Sequence, residues 1–274
     1  MSVSPALAGV DAHPGAAKPD SVLLVDHVRR TFGGLAAVDV DHLEVQRGEI
    51  TALIGPNGAG KTTLFNVITG FDRAGRGRWA FDGRSLARMP AYRVARLGMV
   101  RTFQLTRTLA KMTLIDNMKL AATGQRGEHF LAAFARPVWR SQERELEARA
   151  TALLDRFGLT RMRGEYAGTL SGGQRKLLEM ARALMVEPRM ILLDEPMAGV
   201  NPVLKSAILE HIYALKKSGL TVLFVEHDMD VVTEISDWVV CMAAGSVIAE
   251  GPPASIIANP AVIDAYLGTR RGQG

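Results

Sequence analysis

Three short stretches of this chain carry residue types that could do chemistry on a phosphorylated ligand. Gly55-Pro56-Asn57-Gly58-Ala59-Gly60-Lys61-Thr62 fits the phosphate-binding pattern G-x-x-x-x-G-K-[ST], with Thr63 following. Glycines there let backbone N–H groups converge on phosphate oxygens, and the start of the next helix adds partial positive charge. Lys61 is placed to reach the β- and γ-phosphates, and the Thr62 hydroxyl to bind Mg²⁺. The second stretch, Met190-Ile191-Leu192-Leu193-Asp194-Glu195, is an apolar run ending in two carboxylates. Neighbouring side chains on a strand point to opposite faces, so the two acids can do different work. Asp194 suits Mg²⁺, and Glu195 suits a water that attacks phosphorus. The third is Leu170-Ser171-Gly172-Gly173-Gln174. Ser171 and Gln174 alone would make a capping box at an ordinary helix start. Two glycines in the first helical turn cost about 1 kcal/mol each relative to alanine, which close approach of a phosphate would explain.

The elements that must position these residues follow from the pattern of apolar side chains. Ser21 to Arg30 and Asp39 to Glu49 read as strands joined through Gly33-Gly34. Glu49 to Gly55 is an apolar run into a glycine turn, the pattern of a buried parallel strand. A helix from Gly60 carries Leu64, Phe65 and Ile68 on one face, and further buried strands are expected at Met190 to Leu193, Leu220 to Val225 and Trp238 to Ala244. Strands alternating with helices imply an α/β core. From Leu105 to about Ala167 the sequence turns helical and charged, with Leu146, Leu153, Leu154 and Phe157 on one stripe, as in a helical subdomain set into that core. Thr123 to Arg136 reads as an exposed loop or short helix, a candidate partner contact.

The 274 residues hold 47% hydrophobic and 22% charged side chains, the balance of a globular protein. No apolar run approaches the ~20 residues of a membrane-spanning helix. Met1 to Asp20 lacks the basic start and apolar stretch of a secretory signal and reads as a loose tail. The single cysteine, Cys241, excludes an internal disulfide and fits a cytoplasmic chain. A net charge of +5 does not by itself select a partner.

The sequence L-S-G-G-Q, followed by M-I-L-L-D-E-P and then by Val225-Glu226-His227-Asp228, resembles the nucleotide-binding domain of ATP-binding cassette transporters, over about Val22 to Gly268. The resemblance implies a P-loop NTPase core with an antiparallel β subdomain and an inserted α-helical subdomain at about 105–167. The domain would span 21–268, between tails at 1–20 and 269–274. It implies ATP and Mg²⁺ as ligands and hydrolysis in a head-to-tail pair of cassettes. There the Gly55–Thr63 loop of one cassette and Ser171, Gly172, Gly173 and Gln174 of the other enclose each nucleotide. Gln104, in Thr102-Phe103-Gln104, is similar to the family's γ-phosphate and Mg²⁺ sensor, His227 to its switch histidine, and Phe32 to the ring that stacks on adenine.

Arg101-Thr102-Phe103-Gln104, Glu226-His227-Asp228-Met229, Ala198-Gly199-Val200-Asn201-Pro202 and the ending Asn259-Pro260 to Ala265-Tyr266-Leu267-Gly268 are similar to the ATPase subunits of branched-chain amino acid importers. Many cassettes carry aspartate where this chain has Asn201. The implied partners are a second cassette, two membrane permease subunits docked beside Gln104 along Leu105 to about Met118, and indirectly an extracytoplasmic solute-binding protein. Nucleic acid is not among them, and the expected place is the cytoplasmic face of the membrane. Chromosome-maintenance cassettes carry a long coiled coil and ribosome-associated ones two cassettes per chain, and neither feature is visible here. A lipid-extractor ATPase has a similar cassette.

Overall fold

The computed structural model describes residues 4–102, 107–122 and 136–271. They form two compact units, one of residues 1–101, 189–196 and 212–274, the other of 102–188 and 197–211.

The first unit holds two sheets. In the smaller, β1 (Ser21–Phe32) pairs antiparallel with β2 (Leu35–Gln46) and with β4 (Arg76–Phe81), and β5 (Arg84–Ser85) extends the edge. β1 and β2 turn at Gly33-Gly34, both in the left-handed region that glycine enters without strain. The larger sheet has the order β10-β9-β3-β8-β7-β6. Its strands are β3 (Ile50–Ile54), β6 (Met99–Arg101), β7 (Met190–Asp194), β8 (Thr221–Val225), β9 (Trp238–Ala243) and β10 (Ser246–Gly251). All pairings are parallel except β9 with β10. Every residue of β3 and β8 is buried, as expected of strands covered on both faces. One core joins inward residues of both sheets, such as Val25, Val40, Phe81, Leu53, Leu192 and Val240, with Leu64, Phe65 and Ile68 of α1 (Lys61–Ile68). α2 (Ala91–Arg96) precedes β6, and α8 (Met229–Ile235), α9 (Pro253–Ile257) and α10 (Pro260–Arg271) complete this unit.

The second unit is helical and wider than the stretch 105–167 expected for it. α3 (Arg107–Ala110), α4 (Leu114–Ala121), α5 (Arg136–Arg156) and α6 (Gly172–Leu184) belong to it. α4, α5 and α6 pack on one another, with Leu114 and Met118 of α4, Leu154 of α5 and Leu177 and Leu178 of α6 buried. α7 (Pro202–Lys217) starts here, with Asn201 at its head, where Asn201 Oδ1 accepts from Leu204 N–H at 2.9 Å. An amide oxygen caps a helix as well as a carboxylate does, so asparagine meets the local need at that position. The stretch expected as a partner contact, Thr123 to Arg136, lies almost wholly outside the described residues.

The expectation of a loose N-terminal tail is corrected. Leu7 and Ala16 are buried, and the polar residues around them meet buried carboxylates. Ser4 Oγ donates to Glu49 Oε1 at 2.5 Å, and Ala16 N–H donates to Glu250 Oε1 at 2.6 Å. Lys18 Nζ donates to Glu250 Oε2 at 3.1 Å and sits 4.4 Å from the centre of the Trp238 ring, whose Nε1–H donates to the same oxygen. Burial lowers the Lys18 pKa, and the Glu250 charge opposes that shift. At the other end α10 runs through Arg271, beyond the expected start of a tail at 269.

Glu250 thus satisfies three donors, one of them a buried ammonium. Removing one partner of a buried ion pair costs about 3 to 5 kcal/mol, because the other charge is left uncompensated. Glu250→Ala is therefore expected to lower unfolding free energy by about 3 kcal/mol or more in urea titrations. Lys18→Met combined with Glu250→Gln should recover part of that loss.

Candidate functional site

The glycine-rich loop leaves the buried end of β3 and enters α1. Gly55 has φ +144° and Gly60 φ +100°. A Cβ on Gly55 would lie 2.1 Å from the Met242 carbonyl oxygen, and one on Gly60 would lie 2.2 Å from that of Ala37. Neither position has room for a side chain, apart from the backbone strain. Ala59 is buried and its carbonyl accepts from Gly245 N–H at 3.0 Å, whereas Asn57, Gly58 and Thr62 are exposed and Thr63 is half-buried. The loop is therefore pinned from behind by backbone of β2 and of the β9–β10 turn, with its front edge open.

Lys61 opens α1, and its Nζ donates to the carbonyls of Gly55 at 2.6 Å and Pro56 at 2.9 Å. Burial lowers its pKa, while the carboxylate charges of Glu195 and Asp194 act to raise it. Those groups are therefore its electrostatic neighbours. The same burial pushes the Cys241 thiol up to about 12, so it stays protonated and unreactive.

Asp194 ends β7 and is half-buried, and Glu195 follows it, exposed. Both sit at the carboxyl ends of parallel strands beside β8, where open α/β sheets bind ligands. Glu195 N–H donates to the Val225 carbonyl at 3.0 Å, and its φ of +46° is unusual for a residue with a side chain. Such strain collects at functional sites. His227 follows β8 and is exposed, with its Nδ1 3.9 Å from Glu226 Oε2.

Arg101, read in the sequence only as a neighbour of Gln104, joins this cluster through Asp194. It donates to Asn66 Oδ1 of α1 at 2.6 Å and to Asp194 Oδ2 at 2.6 Å. A guanidinium fork that joins helix and strand was not legible in the sequence, since Asn66, Arg101 and Asp194 are far apart along the chain. Gln104 lies outside the described residues. Phe32, at the end of β1, is 48% exposed with the Arg30 guanidinium 4.1 Å from its ring centre. An exposed aromatic face is what stacking on a base requires.

In the second unit Ser171 and Gln174 form a complete capping box. Ser171 Oγ accepts from Gln174 N–H at 3.3 Å, and Gln174 Oε1 accepts from Ser171 N–H at 2.9 Å. Ser171 and Gly172 are exposed, but Gly173 is buried, and a Cβ there would come within 3.0 Å of Leu204 Cδ1. Packing against α7 thus gives a reason for the second glycine that the sequence did not offer.

The open-fronted loop, its lysine and two strand-end carboxylates make an arrangement suited to a nucleotide. The ABC transporter family matches residues 38–198. A probable branched-chain amino acid transport ATP-binding protein of Archaeoglobus fulgidus is 41% identical over 249 residues, covering 91% of this chain and 96% of that protein. A high-affinity branched-chain amino acid transport ATP-binding protein of Pseudomonas aeruginosa is also 41% identical, covering 90% and 98%. A solved ATP-binding cassette of an ABC transporter in its ADP conformation superposes with a TM-score of 0.79 at 36% identity, covering 90% of this chain and 99% of that one. A nucleotide-free cassette gives 0.78 at 36%, covering 90% and 98%. The chain belongs to the ABC transporter family and is its ATP-binding, ATP-hydrolysing cassette. Residues 246–271, which are β10, α9 and α10, match the family described as branched-chain amino acid ATP-binding cassette transporter.

Gly60→Ala tests the pinned loop. The methyl group would meet the Ala37 carbonyl, so the loop must shift, and ATP affinity should fall about tenfold or more, a change of at least ~1.4 kcal/mol. Equilibrium titration with a fluorescent ATP analogue measures it. Affinity like that of the parent would mean that the Ala37 contact does not hold the loop.

Proposed function

We propose that this chain is the energy-coupling subunit of an importer of branched-chain amino acids or a related small metabolite, with residues 21–268 as its nucleotide-binding domain and 105–167 within its helical part. The observation that carries the reading is Lys61 with Asp194 and Glu195 as its electrostatic neighbours, on a loop backed by main-chain carbonyls at Gly55 and Gly60 and open in front. The relatives carry the rest, since those quoted above are named for branched-chain amino acid transport.

In this reading Phe32 stacks on adenine, and the N–H groups of Asn57 through Thr63 receive the phosphates. Lys61 swings from its own loop carbonyls to the β- and γ-oxygens, exchanging two neutral acceptors for charged ones. Thr62 and Asp194 would hold Mg²⁺, which when bound would neutralise charge developing on the phosphate oxygens. Arg101 ties the Asp194 carboxylate to Asn66 of α1, the helix whose second residue is Thr62. Glu195 accepts a proton from the attacking water, with His227 at the γ-phosphate and Gln104 as the γ-phosphate and Mg²⁺ sensor. Ser171, Gly172, Gly173 and Gln174 serve the nucleotide held by a second cassette, identical or merely similar. An exposed Ser171 and Gly172 at a helix start fit that task.

The partners in this proposal are two permease subunits, docked near Gln104 along α3 and α4, with a solute-binding protein acting beyond them. No helix among the described residues is long and apolar enough to cross a membrane, so the permeases would hold the chain at the cytoplasmic face.

Two experiments test these roles. Glu195→Gln should keep ATP affinity near that of the parent while hydrolysis falls by ~10² or more, and ATP should then drive dimerisation, whereas Lys61→Ala should lose affinity itself. Turnover near the parent's in Glu195→Gln would remove it as the base. For the cargo, cells lacking the gene should lose uptake of labelled leucine, isoleucine or valine. Normal uptake of these, of urea and of other amino acids, with an envelope-lipid defect, would point to a lipid extractor instead.

A further inference from the structure

Tyr266 has no part in the roles assigned above, yet it reaches the glycine-rich loop. Gly55 N–H donates to Tyr266 Oη at 2.9 Å. The tyrosine is half-buried on α10, and Val262, four residues earlier on the same helix, is buried. Burial pushes the phenol up to about 12, against the opposing effect of the Gly55 hydrogen bond, so the hydroxyl stays neutral across the physiological range.

The residue it holds is the first of the loop. Gly55 has its N–H on Tyr266 and its carbonyl on Lys61 Nζ, at 2.9 and 2.6 Å. The Met242 carbonyl fills the space where a Cβ would stand. Three contacts thus fix a glycine at φ +144°, a residue with no Cβ to restrict its torsions. Two of them come from the walls of the site, and Tyr266 is the contact contributed by a separate helix. We propose that Tyr266 is a positioning residue for ATP binding, in which its hydroxyl clamps Gly55 so that the phosphate loop and the resting place of Lys61 are set before the nucleotide arrives. The clamp rests on the proposed function of the loop. It makes α10 a determinant of nucleotide affinity without touching the nucleotide. Without the hydroxyl, the Gly55 peptide samples orientations that do not bind, and the apparent dissociation constant rises by the reciprocal of the competent fraction.

Tyr266→Phe in the full chain removes one oxygen and keeps the ring. The dissociation constant and KM for ATP should rise about three- to tenfold while kcat changes less than about twofold. In hydrogen exchange without nucleotide, the Gly55 amide should be protected in the parent and lose protection in the variant. Val262→Ala, which loosens the anchorage of α10 but leaves the hydroxyl, should move affinity the same way by a smaller factor. Unchanged affinity in Tyr266→Phe overturns the clamp, as does an affinity loss accompanied by a comparable loss of kcat and thermal stability, which marks a purely structural residue. If the parent itself fails to bind ATP, the functional reading falls and takes the clamp's role in nucleotide binding with it. An ATP-binding parent beside an unaltered Tyr266→Phe leaves that reading standing and removes the clamp alone.

Discussion

The Met242 carbonyl leaves Gly55 room for a hydrogen and nothing larger, and much of the proposed nucleotide site depends on that contact. β3 is buried along its whole length between β8 and β9, so the chain must leave the sheet at Ile54 and reverse at once into α1. The reversal needs glycine conformations at positions 55, 58 and 60, and two of those are backed by main-chain carbonyls. The loop is backed at Gly55 and Gly60, while Asn57 and Gly58 between them are exposed. The same confinement carries Lys61 into a partly dry environment, where its charge is costly unless anions stand nearby. Asp194 and Glu195 stand there because β7 is one strand beyond β8 in the same parallel sheet.

Charge in the first unit is arranged in a chain. Arg101 is nearly buried and binds Asp194, and Asp194 acts with Glu195 on Lys61. Two acids beside a site for a polyphosphate would repel it unless cations outweigh them locally. Lys61 and Arg101 balance the two carboxylates formally, one for one. A triphosphate would add uncompensated negative charge, which is the physical reason the proposed site includes a divalent cation. Arg101 holds Asp194 through a single guanidinium nitrogen while a second grips Asn66. Lysine lacks the second arm that ties the strand to α1, so it would not reproduce this link.

The parts of the structure legible in the sequence were those written in neighbouring residues. The strands at β3, β7 and β8, the glycine loop and the Ser171–Gln174 capping box depend on contacts a few residues apart, and each lies where its pattern put it. β4 and β5 were missed because Arg76, Gly77, Arg78 and Arg84 hide a strand whose inward residues are only Trp79 and Phe81. The N-terminal segment read as a tail because Ser4, Ala16 and Lys18 find their partners, Glu49 and Glu250, through the fold. A polar residue beside alanines and prolines carries no sign that a buried carboxylate awaits it. Gly173 carries a second reason that neighbouring residues do not show. Its cost in a helix was read as room for a ligand, and Leu204 supplies a packing reason of its own.

The segment 246–271 gathers several of these distant contacts. Glu250 on β10 takes the backbone of Ala16, the ammonium of Lys18 and the indole of Trp238. Tyr266 on α10 takes Gly55. This short stretch, matched by its own family apart from residues 38–198, thus fastens the beginning of the chain and the mouth of the nucleotide site. Both fastenings use one acceptor group reaching backbone N–H donors in partly dry surroundings. There, an unpaired donor costs about 1 to 3 kcal/mol, more than a typical hydrogen bond adds. The segment's leverage comes from that asymmetry: it bears none of the phosphate-binding or carboxylate residues, yet moving it would strand donors at both places it holds.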